Sequence, residues 1–144
     1  MIEVKLTDPK AMPLRAHPND GGADLFSVGK HIIYPNEICT VDTGVSVSIP
    51  DGYAGFVCSR SGQGKLRISL SNSVGIIDSA YRGNIKVMIV NEGDDPYEIN
   101  PYATKVAQLI IVPVMLANFV EYIGSTEDWL DTSRGVSGFG STGG

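Results

Sequence analysis

The sequence predicts an all-β fold of short strands, which is a sandwich, a jelly roll or a barrel. Apolar and polar residues alternate at period two in several segments, as is typical of half-buried strands. Clusters of Pro, Asn, Asp and Gly separate these segments, as expected for turns between strands. No window keeps a helical period for three turns, so we expect at most one short helix.

Four segments show the alternation most clearly. Their apolar positions are Ile2, Val4 and Leu6; Val45, Val47 and Ile49; Leu66, Ile68 and Leu70; and Ile85, Val87 and Ile89. Turn-forming sequences lie at residues 18–22, 34–36, 50–52 and 91–96. Because their residue types favour tight turns, we expect short strands that the turns separate.

The chain has 144 residues, which predicts a single domain spanning residues 1–144, with a core that needs no disulfide bonds. Its composition, 42% hydrophobic and 19% charged, is ordinary for a globular protein. The net charge of −5 argues against stable nucleic-acid binding, because such surfaces usually carry a basic stripe that contacts phosphates. A small anionic ligand remains compatible with this charge, since a few cations in one pocket suffice.

Cysteine usage and the apolar segments indicate the compartment. Cys39 and Cys58 have no metal-ligand spacing, so we expect reduced thiols and no zinc site. The N-terminal residues lack the apolar region of a secretory leader. The longest apolar stretch, residues 106–120, is too short for a membrane span and is interrupted by polar residues and a proline. We therefore expect a cytoplasmic protein without membrane contact.

The alternation breaks first at GGADLFS, residues 21–27, and then at CSRSGQGK, residues 58–65. Asp24 follows a Gly pair, and Arg60 and Ser61 stand at a strand end next to glycines. A guanidinium, a hydroxyl and open backbone N–H groups together suit phosphate oxygens. An ordinary turn with a capping Asp or Ser is the alternative at each place.

A third break is NSVGIIDSAYRG, residues 72–83, which predicts a hairpin tip around Asn72, Ser73 and Gly75. Asp78 follows two isoleucines, which we expect to draw its carboxylate toward the interior. A carboxylate at an apolar strand end is a candidate general base, and a turn-capping Asp is the alternative.

The fourth break is KVAQLI, residues 105–110, where Gln108 interrupts an apolar strand. A buried amide needs hydrogen-bond partners, so Gln108 either pairs with neighbouring backbone or lines a site.

The chain ends in RGVSGFGSTGG, residues 134–144, which is rich in Gly and therefore has high backbone entropy to lose on ordering. Residues 132–144 are accordingly expected to be mobile. Arg134 and Phe139 are unusual in a frayed terminus, because a guanidinium suits phosphate and an aromatic ring suits a flat base.

Taken in order, these five segments resemble the five motifs of the trimeric dUTP diphosphatase (dUTPase) family. The resemblance extends from Gly21 to Gly143, and its most specific parts are the tail and the GIIDSAYRG run. It implies a jelly-roll-like distorted β-barrel and a homotrimer whose sites are shared between subunits. It also implies hydrolysis of dUTP to dUMP and pyrophosphate with Mg²⁺, which keeps uracil out of DNA and supplies dUMP for thymidylate synthesis.

The resemblance assigns roles to residues of this chain. Asp78 would activate the water that attacks the α-phosphorus, and Gln108 would fix that water and the α-phosphate. Asp24 would bind Mg²⁺ through water, as suits a cation that keeps most of its hydration shell. The remaining implied contacts are to substrate and involve Arg60, Ser61, Gly62, Asn72, Gly75, Ile76, Ile77, Tyr81, Arg134, Phe139, Gly140 and Ser141.

Among these contacts, backbone groups around Asn72 and Gly75 would present hydrogen-bonding groups to uracil. Tyr81 would pack against the deoxyribose and exclude a 2′-hydroxyl. The C-terminal tail would close as a lid, with Phe139 stacked on uracil and Arg134 on the terminal phosphates.

Three places depart from the usual family pattern. Ser59 replaces a common Pro, and Gln63-Gly64 replaces an apolar-small pair in an expected short helix. Ala103-Thr104-Lys105 stands where Gly, an acid and Arg are common. Lys105 keeps the positive charge but loses the bidentate fork of Arg, so we question any ion pair at that position.

Two other functions fit the same scaffold. The related dCTP deaminases use a strand Glu soon after the hairpin, and residues 84–90 contain no Glu, which argues against deamination. The alternative from another class is a nucleotide-sensing protein that binds an unknown regulatory partner, with retention of all five motifs favouring the enzyme.

Overall fold

The computed structural model of the protein describes residues 1–138. This part of the chain consists mainly of short strands, which confirms the predicted all-β class. The strands are β1 (Glu3–Leu6), β2 (Ala23–Phe26), β3 (His31–Ile33), β4 (Ile38–Asp42), β5 (Val45–Ser48), β6 (Tyr53–Cys58), β7 (Ile68–Leu70), β8 (Val74–Ile77), β9 (Lys86–Asn91), β10 (Tyr97–Ile99) and β11 (Lys105–Pro113).

The strands form four antiparallel sheets, each built from strands that are not adjacent in sequence. The largest sheet has the order β2-β11-β6-β8, and a three-stranded sheet has the order β4-β9-β7. Two further pairs join β1 to β5 and β3 to β10. Within residues 1–138 no two consecutive strands pair with each other, so the chain crosses repeatedly between sheets, which agrees with the jelly-roll-like barrel expected from the sequence.

Buried apolar side chains from all of these sheets form one core. Leu25, Ile33, Val47, Val57 and Ile89 are each at most 2% exposed and belong to a single cluster. These five residues lie in five different strands, and together the strands represent all four sheets. Burial of the apolar face of each strand therefore joins the sheets into one domain.

The predicted strands are confirmed with one change. The segments at Ile2–Leu6, Val45–Ile49 and Ile85–Ile89 contain β1, β5 and most of β9. The segment around Ile68 begins later than predicted, because Leu66 is 59% exposed and Arg67 adopts a φ of 56°. Both residues belong to a turn whose N–H groups bond back to Gln63 and Gly64.

The hairpin predicted around Asn72 is wrong as to pairing. β7 pairs with β9, whereas β8 pairs with β6, so residues 71–73 form a turn between two different sheets. Ser73 turns the chain with a φ of 62°. The physical reason is that Ile68 and Leu70 bury their side chains in the core beside β9, a choice that local turn signals do not reveal.

Within residues 1–138, helical structure is limited to single turns. A 3-10 turn spans Pro9–Ala11, α1 spans Ser61–Gly64 and α2 spans Thr126–Leu130. The α1 turn is the short helix that the sequence predicted, and α2 is one more than expected. Ser125 caps the N-terminus of α2, since its hydroxyl accepts the Asp128 N–H at 3.1 Å. Such a local cap can stabilise a single turn without a helical period in the sequence.

The chain leaves the barrel after β11. Every residue from 115 to 138 is exposed, including Phe119 and Ile123, which are 96% and 93% exposed. Tyr122 and Trp129 stack with ring centroids 4.8 Å apart. Among residues 1–138, helices are too short to cross a lipid bilayer.

Candidate active site

Asp24 is the centre of a charged cluster on β2. Its Oδ1 lies 2.7 Å from Nε of Arg60, and its Oδ2 lies 2.8 Å from Nζ of Lys105. The Asp24 side chain is only 13% exposed, whereas those of Arg60 and Lys105 are about one third exposed, at 31% and 33%. One carboxylate therefore faces two cations, and the cluster keeps one excess positive charge directed toward solvent.

A β-bulge brings Lys105 into this cluster. On β11, Lys105 pairs with Phe26 and Ala107 pairs with Leu25, so Val106 is an extra residue in the ladder. In a regular strand Lys105 would share a face with Ala107, which is completely buried. The bulge rotates Lys105 to the face of Gln108, as bulges near sites commonly re-aim a side chain.

Gln108 lies at the centre of the large sheet, opposite Asp24 on β2 and Cys58 on β6. Its Nε2 donates to the carbonyl of Ser59 at 3.0 Å. Its Oε1 lies beside Gly22, where a Cβ would come within 2.5 Å of it. The sequence offered two alternatives for Gln108, pairing with backbone or lining a site. Its amide does both, since it bonds to the Ser59 carbonyl and lines the cavity around Asp24.

These groups surround an open cavity of about 280 Å³. Its lining residues are Ala16, Asp20, Gly21, Gly22, Asp24, Arg60, Ser61, Lys105 and Gln108. Asp20 adds a second carboxylate, whose Oδ2 accepts the His17 N–H at 2.9 Å. The cavity combines cations, a carboxylate partner, a hydroxyl and an amide, which is the chemistry that binds a phosphate group.

The loop that carries Arg60 and Ser61 is held by several hydrogen bonds. Ser59 Oγ accepts the Leu70 N–H at 3.0 Å, and Gln63 Oε1 accepts the Arg60 N–H at 3.2 Å. The helix α1 forms despite the Gln63-Gly64 departure, and Gly62 lies within it with open space around its Cα. Lys105 forms an ion pair although it lacks the bidentate fork of Arg. Its ammonium alone reaches Oδ2 of Asp24.

The predicted base and sugar contacts lie elsewhere on the chain. Asn72, Ile76 and Tyr81 are exposed, and Gly75 sits against Val57 with Asn72 Nδ2 nearby. Ile77 is half-buried at the end of β8. Tyr81 donates its hydroxyl to the carbonyl of Asn84 at 2.9 Å. This surface is outside the cavity around Asp24.

Asp78 is exposed at the end of β8, rather than turned toward the interior as the sequence suggested. The chain turns immediately after Ile77, and the Asp78 carbonyl accepts the Tyr81 N–H at 3.1 Å. This turn directs the residue out of the core. Its carboxylate is therefore available to solvent in the single chain, and it does not line the cavity around Asp24.

Arg134 lies in the exposed C-terminal segment, where its Nε donates to the carbonyl of Ser137 at 2.9 Å. It also does not line the cavity around Asp24. Phe139, Gly140 and Ser141 lie outside the described residues. One chain therefore brings together Asp24, Arg60, Ser61 and Gln108 but leaves Asp78, Tyr81 and Arg134 separate from them.

Lys105, Gly22 and Gln63 also shape this site, although local sequence patterns do not predict their roles. Their roles depend on the bulge and on contacts between strands far apart in sequence.

The residues present suit a magnesium ion that arrives with a phosphate ligand. Within residues 1–138, no three His, Cys, Asp or Glu side chains converge into a cage made by protein alone. Mg²⁺ commonly uses one or two carboxylates together with substrate phosphates and water. Asp24 and Asp20, which line the cavity together with Arg60 and Lys105, fit that donor set.

A sequence model of the dUTPase family matches residues 8–143. The chain belongs to the dUTPase family. Among curated relatives, the deoxyuridine 5'-triphosphate nucleotidohydrolase of Cutibacterium acnes is 44% identical over 137 residues, covering 94% of this chain and 87% of that protein. The enzyme of the same name from Corynebacterium diphtheriae is 38% identical over 146 residues, covering 99% and 93%.

Solved dUTPase structures share the fold. A variant of Staphylococcus bacteriophage 80alpha dUTPase with dUpNHpp superposes with a TM-score of 0.85 at 28% identity, covering 99% of this chain and 98% of that chain. A variant of the dUTPase from phage phi11 of S. aureus, which coordinates a structural Mg(II) ion, gives a TM-score of 0.78 at 29% identity, covering 86% and 97%. These neighbours confirm the jelly-roll-like dUTPase fold.

Proposed function

We propose that the protein hydrolyses dUTP to dUMP and pyrophosphate. The observation that carries this proposal is the cavity in which Asp24 holds Arg60 and Lys105 beside Gln108, in a chain of the dUTPase family. Arg60 and Lys105 can bind the triphosphate through charge-assisted hydrogen bonds to its oxygens.

In the proposed reaction, Asp78 accepts a proton from water, and the water oxygen attacks the α-phosphorus. The bond between the α-phosphorus and its bridging oxygen to the β-phosphate breaks, and pyrophosphate leaves with that oxygen. Gln108 holds the water and the α-phosphate. No covalent intermediate with the protein is required, because positioning and charge neutralisation can lower the barrier of phosphoryl transfer.

Arg60, Ser61 and Gly62 contact the phosphates, with Lys105 as a second cation on the same wall. Mg²⁺ supplies charge neutralisation on the triphosphate when bound. Asp24 would hold it through water, and its ion pairs with Arg60 and Lys105 fix the carboxylate at the cavity wall.

The turn at residues 71–73 and the strand β8 that follows it supply the uracil contacts in this proposal. Asn72 and the backbone of Gly75, Ile76 and Ile77 pair with the edge of the base, and cytosine fails because it inverts part of the donor and acceptor pattern. Tyr81 packs on the deoxyribose, and its hydroxyl bond to Asn84 fixes the ring. In the tail, Phe139, Gly140, Ser141 and Arg134 complete the substrate contacts.

The active unit is proposed to be a homotrimer with sites shared between subunits. Two observations support it: the proposed phosphate and base contacts lie apart on one chain, and residues 115–138 leave the barrel entirely exposed. The proposal also places the enzyme in the cytoplasm, which agrees with its two free cysteines.

The test is pyrophosphate release with Mg²⁺ and each of dUTP, UTP, dCTP and dTTP. We expect release from dUTP alone, and its loss in Asp78→Asn without loss of dUTP binding. Asp95→Asn is the matched control, because Asp95 is exposed in a loop outside the site. Binding of dUTP without hydrolysis by the wild-type chain would defeat the catalytic proposal and favour a nucleotide-sensing role.

A further inference from the structure

Gln63 is a polar side chain buried beneath the loop that carries Arg60. Its residue exposure is 4%, although it belongs to a single helical turn, α1, at the surface. Gln side chains are rarely buried unless their amide groups are hydrogen-bonded. Its position therefore calls for a physical reason.

Both ends of the Gln63 amide are hydrogen-bonded to backbone. Oε1 accepts the N–H of Arg60 at 3.2 Å, and Nε2 donates to the carbonyl of Val106 at 3.1 Å. The second bond joins residues 43 positions apart and is itself buried. The amide thus ties the loop after β6 directly to β11.

Val106 is the bulge residue that turns Lys105 toward Asp24. A bulge leaves backbone groups outside the regular ladder, and a buried carbonyl needs a donor. β6 cannot supply one, because its pairing with β11 reaches only as far as Cys58 and Gln108. Nε2 of Gln63 supplies this donor beyond the point where β6 stops pairing with β11.

Gln63 therefore bridges the backbones that carry the two cations of the site. On one side it fixes the N–H of Arg60, and on the other it fixes the carbonyl adjoining Lys105. Both cations bind the same carboxylate, so a change in their separation would disturb Asp24 as well.

We propose that Gln63 is a positioning residue that sets the spacing of Arg60 and Lys105 for the phosphates of the nucleotide. It contacts no substrate and acts through these two side chains. The inference rests on the proposed function, since it concerns how that site recognises a triphosphate. It predicts that Gln63 matters for phosphate binding and has no effect on binding of the nucleoside part.

The experiment compares the wild-type chain with Gln63→Leu, which keeps similar bulk but removes both hydrogen bonds. Steady-state turnover of dUTP is measured together with calorimetric binding of dUpNHpp and of deoxyuridine, which has no phosphate. We expect KM for dUTP and Kd for dUpNHpp to rise about tenfold, as for loss of a positioned hydrogen bond. Deoxyuridine affinity should remain unchanged.

Gln63→Glu separates the two bonds. It keeps an acceptor for the Arg60 N–H but places an oxygen against the Val106 carbonyl, so it should weaken dUpNHpp binding as well. Gln63→Met, which is unbranched, replaces the Leu variant if that variant fails to fold. Val41→Ala is the control for reduced stability alone, because Val41 is fully buried on β4, a strand outside the cavity lining.

A double-mutant cycle with Arg60→Ala tests the route of the effect. If Gln63 acts through Arg60, adding Gln63→Leu to Arg60→Ala should raise Kd for dUpNHpp by clearly less than tenfold. Unchanged KM and Kd in folded Gln63→Leu, or equal losses for dUpNHpp and deoxyuridine, overturn the inference. A wild-type chain that releases no pyrophosphate from dUTP defeats the proposed function, and this inference with it.

Discussion

The ammonium of Lys105 lies 2.8 Å from Oδ2 of Asp24, and this ion pair joins the antiparallel strands β11 and β2. It exists because one extra residue at Val106 turns Lys105 out of the core and onto the face of Gln108. Arg60 approaches the other oxygen of the same carboxylate. The site is thus organised around a shared acid whose two cationic partners come from different strand ends.

Replacing Lys105 with Met should raise KM for dUTP about tenfold, because a partly buried charge-assisted contact is lost and Asp24 keeps only Arg60. Steady-state kinetics at fixed Mg²⁺ measure the effect. Lys105→Arg should stay within about threefold of wild type, since it keeps the charge. The matched control is Lys30→Met, whose exposed pair with Glu98 should contribute little. Equal KM values for the Met variants at 105 and 30 would contradict the prediction.

Replacing Gly22 with Ala should lower kcat/KM for dUTP by about tenfold to a hundredfold, because small displacements of a positioned group strongly affect rate. The added Cβ would meet Oε1 of Gln108 at 2.5 Å and force that side chain to move. Gly21→Ala is the control, because a Cβ there meets nothing within 4 Å. If both Ala variants have the same kcat/KM for dUTP, the observed position of the Gln108 side chain does not matter for turnover.

The subunits should complement one another if sites are shared. Light scattering should give a mass three times the 15.3 kDa of one chain. Trimers of Asp78→Asn alone and of Arg60→Ala alone should have low activity. When the two variants are mixed and allowed to exchange subunits, some sites should regain both wild-type residues. Activity that never exceeds the sum of the separate variants would mean that Asp78 and Arg60 act from the same chain.

Deleting residues 134–144 should leave the fold and the trimer intact but reduce turnover at least about tenfold, since groups that orient the substrate are removed. Residues 115–138 are exposed, so the deleted part up to 138 contributes nothing to the barrel core. Thermal unfolding and light scattering check the structure, while pyrophosphate release checks turnover. Arg134→Gln in the full chain is the finer variant and should reproduce part of the loss. Full turnover after deletion would remove the tail from the mechanism.

The sequence by itself determined the fold class and located the segments that form the proposed site. Alternation at period two located β1, β5 and β9, because one face of each strand must be buried whatever its neighbours are. The breaks in alternation marked Asp24, Arg60, Ser61 and Gln108, since polar groups in apolar strands require partners or a site.

Only the tertiary structure decided how these segments meet. A regular strand would put Lys105 on the face of Ala107, whereas the bulge puts it on the opposite face, because one extra residue exchanges the faces of a strand. The turn after β7 resembled a hairpin locally, yet β7 and β8 pair with different strands. The role of Gln63 was equally hidden, since its partner Val106 is 43 positions away and the bond depends on how two strand ends diverge. Local patterns record which side chains avoid water, whereas register, bulges and long-range hydrogen bonds arise only when the strands are packed together.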